Sequence, residues 1–294
     1  MKNEKQTEYI RLADEYMKEH LKCELEDLKG LFNSMSYSVE LGGKRVRPVL
    51  CLMFCEACGG EIRRAVPLAC AVEFIHTYSL IHDDLPCMDN DDFRRGKPSN
   101  HKVFGEANAV LAGDALLTEA FSLISEGFEN GLYSAETAVK AVSALSEFAG
   151  PLGMVGGQYI DLSGEGQAFD KEKLELMDKL KTGALISASC VLGCLCAGAD
   201  EQKIKAAEKY AEDIGLAFQI IDDILDVTGS FEKLGKQTGS DTENDKSTYV
   251  SLLGIEKCRE LVSRLTEDAK KQIEVFENRA MLSEFADYLT QRDK

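Results

Sequence analysis

Two short acidic words, DDLPCMD at 83 to 89 and DDILD at 222 to 226, hold the residues best placed to do chemistry. In the second word Asp222, Asp223 and Asp226 stand at i, i+1 and i+4 among Ile220, Ile221, Ile224 and Leu225. On a helix this stacks Asp222 above Asp226 on one face. Carboxylates so stacked cost roughly a few tenths of a kcal/mol unless a cation sits between them. In the first word Asp83 and Asp84 come before Pro86, whose missing N–H disturbs the preceding turn and brings Asp89 round toward the same cavity. Hard carboxylate oxygens favour magnesium, which takes its other ligands from water and phosphate. A solvated acidic patch would account for a single Asp-Asp pair. Two such words, each emerging from an apolar helix and each followed by basic residues, point to a site.

Cations gather where carboxylates alone would repel a phosphate. Lys44, Arg45 and Arg47 follow a Gly-Gly turn in GGKRVRP, and Arg94 and Arg95 follow the first acidic word. Arginine forks grip phosphate oxygens in pairs, and lysine adds a point charge. His76 precedes Asp83 by two helical turns and shares roughly its face, whereas His20, His82 and His101 have no legible constellation. Lys181 and Thr182 interrupt a hydrophobic run, and Gln219 stands one turn before Asp223. Lys236 lies in LGKQTGSD and Lys246 opens KSTY.

The elements that must carry these residues read as helices. Apolar residues recur every three or four positions, as at Leu174, Met177, Leu180 and Ala184, and no stretch alternates around Asn-Gly or Asp-Gly turns. The spacing predicts helices near 7–29, 46–58, 65–85, 107–127, 135–159, 171–198, 202–228, 247–252, 256–278 and 280–290. Breaks are expected at 59–60, 90–100, 127–134, 164–166 and 229–245. With 294 residues, 44% of them hydrophobic, five prolines and no linker, the chain reads as one domain, 1–294, able to bury roughly 75% of its unfolded surface. Thr182 to Ala199 lacks charge, yet its serines and glycines suit a buried helix better than a membrane span.

A formal net charge of -17 excludes nucleic acid and anionic membrane surfaces as partners. The charged N-terminus, MKNEKQTEYIRLADEYMKEH, offers no secretory signal, so a cytoplasmic location is expected. Ten cysteines then read as small core residues rather than disulfides. Cys55 and Cys58 form a C-x-x-C pair, but a second pair with zinc-ligand spacing is missing.

Taken in order, GGKRVRP, HTYSLIHDDLPCMDNDDFRRGKPSNH, GDALLT, GGQYIDL, KTGALI, FQIIDDILDVTG and LGKQTGSD closely resemble the trans-isoprenyl diphosphate synthases over about residues 40 to 250. The longer first word, with four residues between its second and third aspartates, is most similar to bacterial short-chain farnesyl diphosphate synthases. The resemblance implies an all-α fold, a single-domain helical bundle around a deep central cavity, usually in a homodimer. It implies that Asp83, Asp84, Asp89, Asp222, Asp223 and Asp226 bind Mg2+ bridged to an allylic diphosphate. Lys44, Arg47, His76 and Arg95 match the isopentenyl diphosphate site. Arg94, Lys181, Lys236 and Lys246 match the allylic side, and Thr182 and Gln219 lie beside the reacting carbons.

The implied reaction joins dimethylallyl or geranyl diphosphate to isopentenyl diphosphate by ionisation, carbon–carbon bond formation and proton loss, giving farnesyl diphosphate. Tyr78 would floor the cavity, about 7 Å along the helix axis from Asp83. Straight-helix geometry alone aims Ser79 more directly beneath Asp83, so the choice of Tyr78 comes from the resemblance. Geranylgeranyl diphosphate synthase is the alternative product class. A terpene cyclase would need no second diphosphate site. A noncatalytic partner of a longer-chain synthase should lack one acidic word, and this chain keeps both.

Overall fold

The structure is a computed structural model that describes residues 4–228 and 247–290. Its helices are α1 (Glu4–His20), α2 (Lys29–Glu40), α3 (Val46–Ala57), α4 (Ile62–Asp83), α5 (Asn100–Phe104), α6 (Glu106–Glu129), α7 (Ala135–Ala149) and α8 (Met154–Ser163). They continue as α9 (Lys171–Asp178), α10 (Ala184–Cys196), α11 (Glu201–Thr228), α12 (Tyr249–Leu253), α13 (Ile255–Gln272) and α14 (Ala280–Thr290). The fold is all-α, as expected.

From Ala65 to Leu80 only Glu73, His76, Thr77 and Ser79 interrupt an apolar sequence, and α4 is buried on nearly every side. α10, which carries no charge, packs among α3, α4, α7 and α11. These helices form the main core. A second hydrophobic cluster joins Phe169 and Leu174 to Ile220, Ile221, Ile224, Tyr249 and Cys258. α11 runs through both, with Tyr210 and Ile214 in the first and Ile220 to Ile224 in the second. Its acidic word is therefore anchored by apolar neighbours on the opposite face.

Several boundaries differ from the sequence expectation. The helix expected over 7–29 stops at His20, and a new one, α2, begins at Lys29. The apolar stripe of α1 (Tyr9, Leu12, Ala13, Met17) reaches the core only as far as Leu21, whereas Leu25 is 65% exposed. The helix expected over 135–159 divides at Gly150-Pro151, where proline cannot continue the ladder of α7. The expected loop at 90–100 contains a hairpin, β1 (Phe93–Arg94) paired with β2 (Lys97–Pro98). Its turn residues Arg95 and Gly96 both have positive φ, 54° and 74°, the primed geometry that two-residue hairpins favour.

Two helical stretches, Glu106–Glu129 and Lys171–Cys196, are long and apolar enough to cross a membrane by length and composition. In the bundle 67% of the second stretch's most apolar window is buried, as befits a core helix.

Candidate active site

α4 delivers the first acidic word at its C-terminal end. Asp83 is its last residue, and the chain then curls so that the Asp89 N–H donates to the Asp83 carbonyl at 2.9 Å. This curl around Pro86 sets Asp89 beside Asp83. The Asp83 carboxyl is pushed up to about 6 by burial, with Asp89 adding repulsion and Lys181 opposing. Gln158 of α8 donates to Asp83 Oδ1 at 2.5 Å. Asp84 is engaged differently, for Arg94 forks onto it with Nε 2.8 Å from each oxygen and Nη2 2.5 Å from Oδ1.

The second word lies in the last two turns of α11. Asp222 is exposed, Asp223 accepts the Tyr249 N–H at 2.7 Å, and Asp226 Oδ2 is buried with no hydrogen-bond partner among the described residues. An orphaned carboxylate oxygen and a desolvated Asp83 beside Asp89 are what a hard divalent cation would relieve. The all-oxygen donor set fits magnesium.

Between the two words runs a wide π-helical turn, Lys179–Gly183, inserted where α9 meets α10. Such turns are frequent at functional sites because they re-aim side chains within a helix. Here the turn presents Lys181 and Thr182. Lys181 Nζ donates to Asp161 Oδ2 of α8 at 2.6 Å, and the charges of Asp83 and Asp89 also favour its ammonium form. α8 crosses the turn so closely that a Cβ on Gly157 would fall 2.1 Å from the Lys181 nitrogen. Gln219 lies beside Asp178, the residue just before the turn. Burial raises the Asp178 carboxyl to about 6, while Tyr249 and Gln219 pull it down.

The GGKRVRP segment splits its three cations. Arg45, at φ 50°, turns into the core, where Nη1 meets Glu73 at 2.9 Å and Nε meets Asp14 at 2.7 Å. Arg45 is thus a core cation, and the phosphate ligands that the resemblance implies in this segment, Lys44 and Arg47, do not include it. Arg47 Nε is buried without a partner, and desolvation and Arg95 lower its pKa although Glu73 opposes them. His76 is held neutral, its pKa pushed well down by burial and then by Arg47, Arg95 and Arg94. The Arg95 guanidinium lies over Gly43, where a Cβ would meet Nη1 at 2.7 Å. Arg47, His76 and Arg95 thereby form a pocket of donors short of negative charge, suited to a diphosphate.

Lys236 and Lys246 lie outside the described residues. Tyr78 is buried, its ring edge-on to His82 at 5.7 Å. His82 in turn bonds the Val110 carbonyl at 3.1 Å. His20 does have neighbours, for it sits between Glu119 and Glu126. Gln158, Asp161 and Asp178 are site residues to which the sequence reading gave no role. The signal for the first two was present, since GGQYIDL puts two polar groups at i and i+3 on an otherwise apolar helix.

A stability test follows from Asp83. A carboxyl whose folded pKa is raised from 3.8 to about 6 weakens the fold above pH 6, and the penalty fades as pH falls from 6 toward 3.8. In chelator at pH 7.5, Asp83→Asn should therefore melt higher than the wild type, with the difference closing near pH 4. Scanning fluorimetry at both pH values checks this, and a gap independent of pH would contradict it.

The model of the family described as polyprenyl synthetase matches residues 29–283. The chain is 48% identical over 264 residues to a farnesyl diphosphate synthase of Bacillus subtilis (strain 168), covering 90% of this chain and 89% of that one. It is 49% identical over 272 residues to a chloroplastic heterodimeric geranylgeranyl pyrophosphate synthase large subunit 1 of Arabidopsis thaliana, covering 91% of this chain and 73% of that one. A solved FPP/GFPP synthase from Zymomonas mobilis superposes with a TM-score of 0.86 at 36% identity, with 97% of each chain covered. With a family model spanning most of its length and two acidic words flanking a cation-rich turn, the chain belongs to the polyprenyl synthetase family.

Proposed function

We propose that this chain is a magnesium-dependent farnesyl diphosphate synthase, condensing dimethylallyl and then geranyl diphosphate with isopentenyl diphosphate. When bound by the six aspartates, magnesium would supply positive charge to the departing pyrophosphate. The chain's own part is to hold and orient. Lys181 and Arg94 add cations on the allylic side, while Lys44, Arg47, His76 and Arg95 grip the second diphosphate. Thr182 and Gln219 border the reacting carbons, where water must be excluded because it would capture the allylic cation. No protein nucleophile is needed, and the released pyrophosphate is positioned to take the terminating proton.

The observation that carries the fifteen-carbon product is Tyr78, an aromatic ring buried on α4 five residues before Asp83 and braced edge-on by His82. A ring fixed there closes the space into which a longer tail would grow. Relatives named for geranylgeranyl synthesis favour a twenty-carbon reading, and product analysis separates the two. Purified protein given isopentenyl and dimethylallyl diphosphates should yield farnesol after dephosphorylation and chromatography. Tyr78→Ala should shift products to twenty carbons or more, and Tyr78→Phe should leave them at fifteen. A wild type that makes mostly twenty-carbon product would remove Tyr78 as the floor.

A homodimer is part of the same reading. Val139, Leu152 and Tyr159, on α7, α8 and the bend between them, are 69%, 83% and 72% exposed, an apolar surface that a second copy would cover.

A further inference from the structure

α3 and α10 approach each other so closely that a Cβ on Gly193 would fall 2.2 Å from the Cys51 carbonyl oxygen and 3.0 Å from the Cys55 nitrogen. This contact brings together thiols far apart in sequence. Cys58, the residue that ends α3, has its Sγ 3.7 Å from Cys194 Sγ on α10, across a separation of 136 residues. Beside them Cys55 Sγ donates to the Glu61 carbonyl at 3.7 Å. A thiolate metal cage is not what these groups make. Among the described residues, the one group of three or more potential ligand atoms within 4.8 Å of one another is His20, Glu119 and Glu126.

The Cys58 and Cys194 thiols differ in a way that suits stepwise chemistry. Cys58 is only partly buried, whereas Cys194 is fully buried. The Cys58 pKa is lowered, first by its hydrogen bond with Cys194 and then, against desolvation, by Lys203 at the start of α11. The Cys194 pKa is raised by the same bond and by burial. One thiol is thus the accessible nucleophile and the other its resolving partner. The chain after Cys58 continues through Gly59, at φ 80°, and Gly60, a bend able to absorb the shift that bond formation needs. The sulfurs must close to about 2.05 Å.

We propose that Cys58 and Cys194 are an oxidisable dithiol site that reacts with small-molecule disulfides and closes to a disulfide joining α3 to α10. In the first step the Cys58 thiolate attacks one sulfur of the disulfide, forming a mixed disulfide and expelling one thiolate. Cys194 then loses its proton and attacks Cys58 Sγ, forming the internal bond and expelling the second thiolate. The protein loses two hydrogens and two electrons, and the disulfide becomes two thiols. The bond would join the far ends of the two helices whose near ends present Arg47 and, through the π turn, Lys181. It is a modification that stiffens the bundle from the side opposite the site.

Incubating the folded full-length protein with glutathione disulfide at pH 8, followed by intact mass and non-reducing peptide mapping, tests the site. The expected result is loss of two hydrogens and a Cys58–Cys194 linked peptide. The melting temperature should rise by roughly 4 °C or more, reversibly with dithiothreitol. Cys58→Ser should abolish the link, and Cys194→Ala should trap glutathione on Cys58. Absence of the link, a glutathione adduct that persists on wild-type Cys58, or linkage of Cys58 to a different cysteine would each overturn the proposal. Should Cys194→Ala fail to fold, the wild-type map and the Cys58→Ser variant, at a position only partly buried, still decide.

Discussion

Replacing either Asp83 or Asp222 by alanine should lower turnover roughly a hundred- to a thousandfold while leaving helix content unchanged, and excess chelator should silence the wild type. The size is that of removing one preorganised charge-stabilising contact at a developing anion. The two sites should fail for one chemical reason and differ in stability. Asp222 is exposed on α11, so its replacement opens no cavity in the core. Asp83 is a desolvated carboxyl opposed by Asp89, so its removal relieves the fold even as it disables the reaction. Steady-state assays across a magnesium titration, with circular dichroism on each variant, check both statements. Full activity in excess chelator would sink the metal assignment.

The next largest effect concerns the division of labour between cations. Lys44→Ala and Arg47→Ala should each raise KM for isopentenyl diphosphate about ten- to a hundredfold, the worth of one charge-assisted phosphate contact. The KM for the allylic substrate should move far less. Arg47 is the sharper test because its buried Nε has no hydrogen-bond partner among the described residues, which leaves that donor open to a substrate oxygen. Arg45→Ala supplies the contrast. It would strip the buried Glu73 and the half-exposed Asp14 of their partner and lower stability rather than selectively weaken one substrate. Equal changes in both KM values for Lys44→Ala and Arg47→Ala would refute the division.

Much of this was legible in sequence because it depends on spacing along single helices. The stacking of Asp222 and Asp226, the alignment of His76 with Asp83 and the disturbance at Pro86 all follow from helical periodicity. What depends on the crossing of elements was not legible. Arg45 reads as one more cation in GGKRVRP, and only its left-handed backbone turns it toward Glu73. Asp178 reads as solvated in LELMDKL, and only the π turn places it against Gln219. The break after His20 has no glycine or proline to announce it, because it is set by where the α1 stripe leaves the core. Gly150-Pro151 did announce the end of α7, and the continuing apolar rhythm hid it.

The ends of the helices that hold the charged clusters carry a further consequence. Peptide dipoles add along a helix to leave partial positive charge at its start and partial negative charge at its finish. Asp83 closes α4, Asp226 lies in the last turn of α11, and Arg47 opens α3. Each therefore sits at the helix end whose polarity matches its own sign, where each such placement costs about 0.3–1 kcal/mol. A divalent cation at the two aspartate ends and a diphosphate at the arginine end would reverse all three oppositions together. The backbone of three helices, and not only their side chains, thus favours the pair of ligands over either alone.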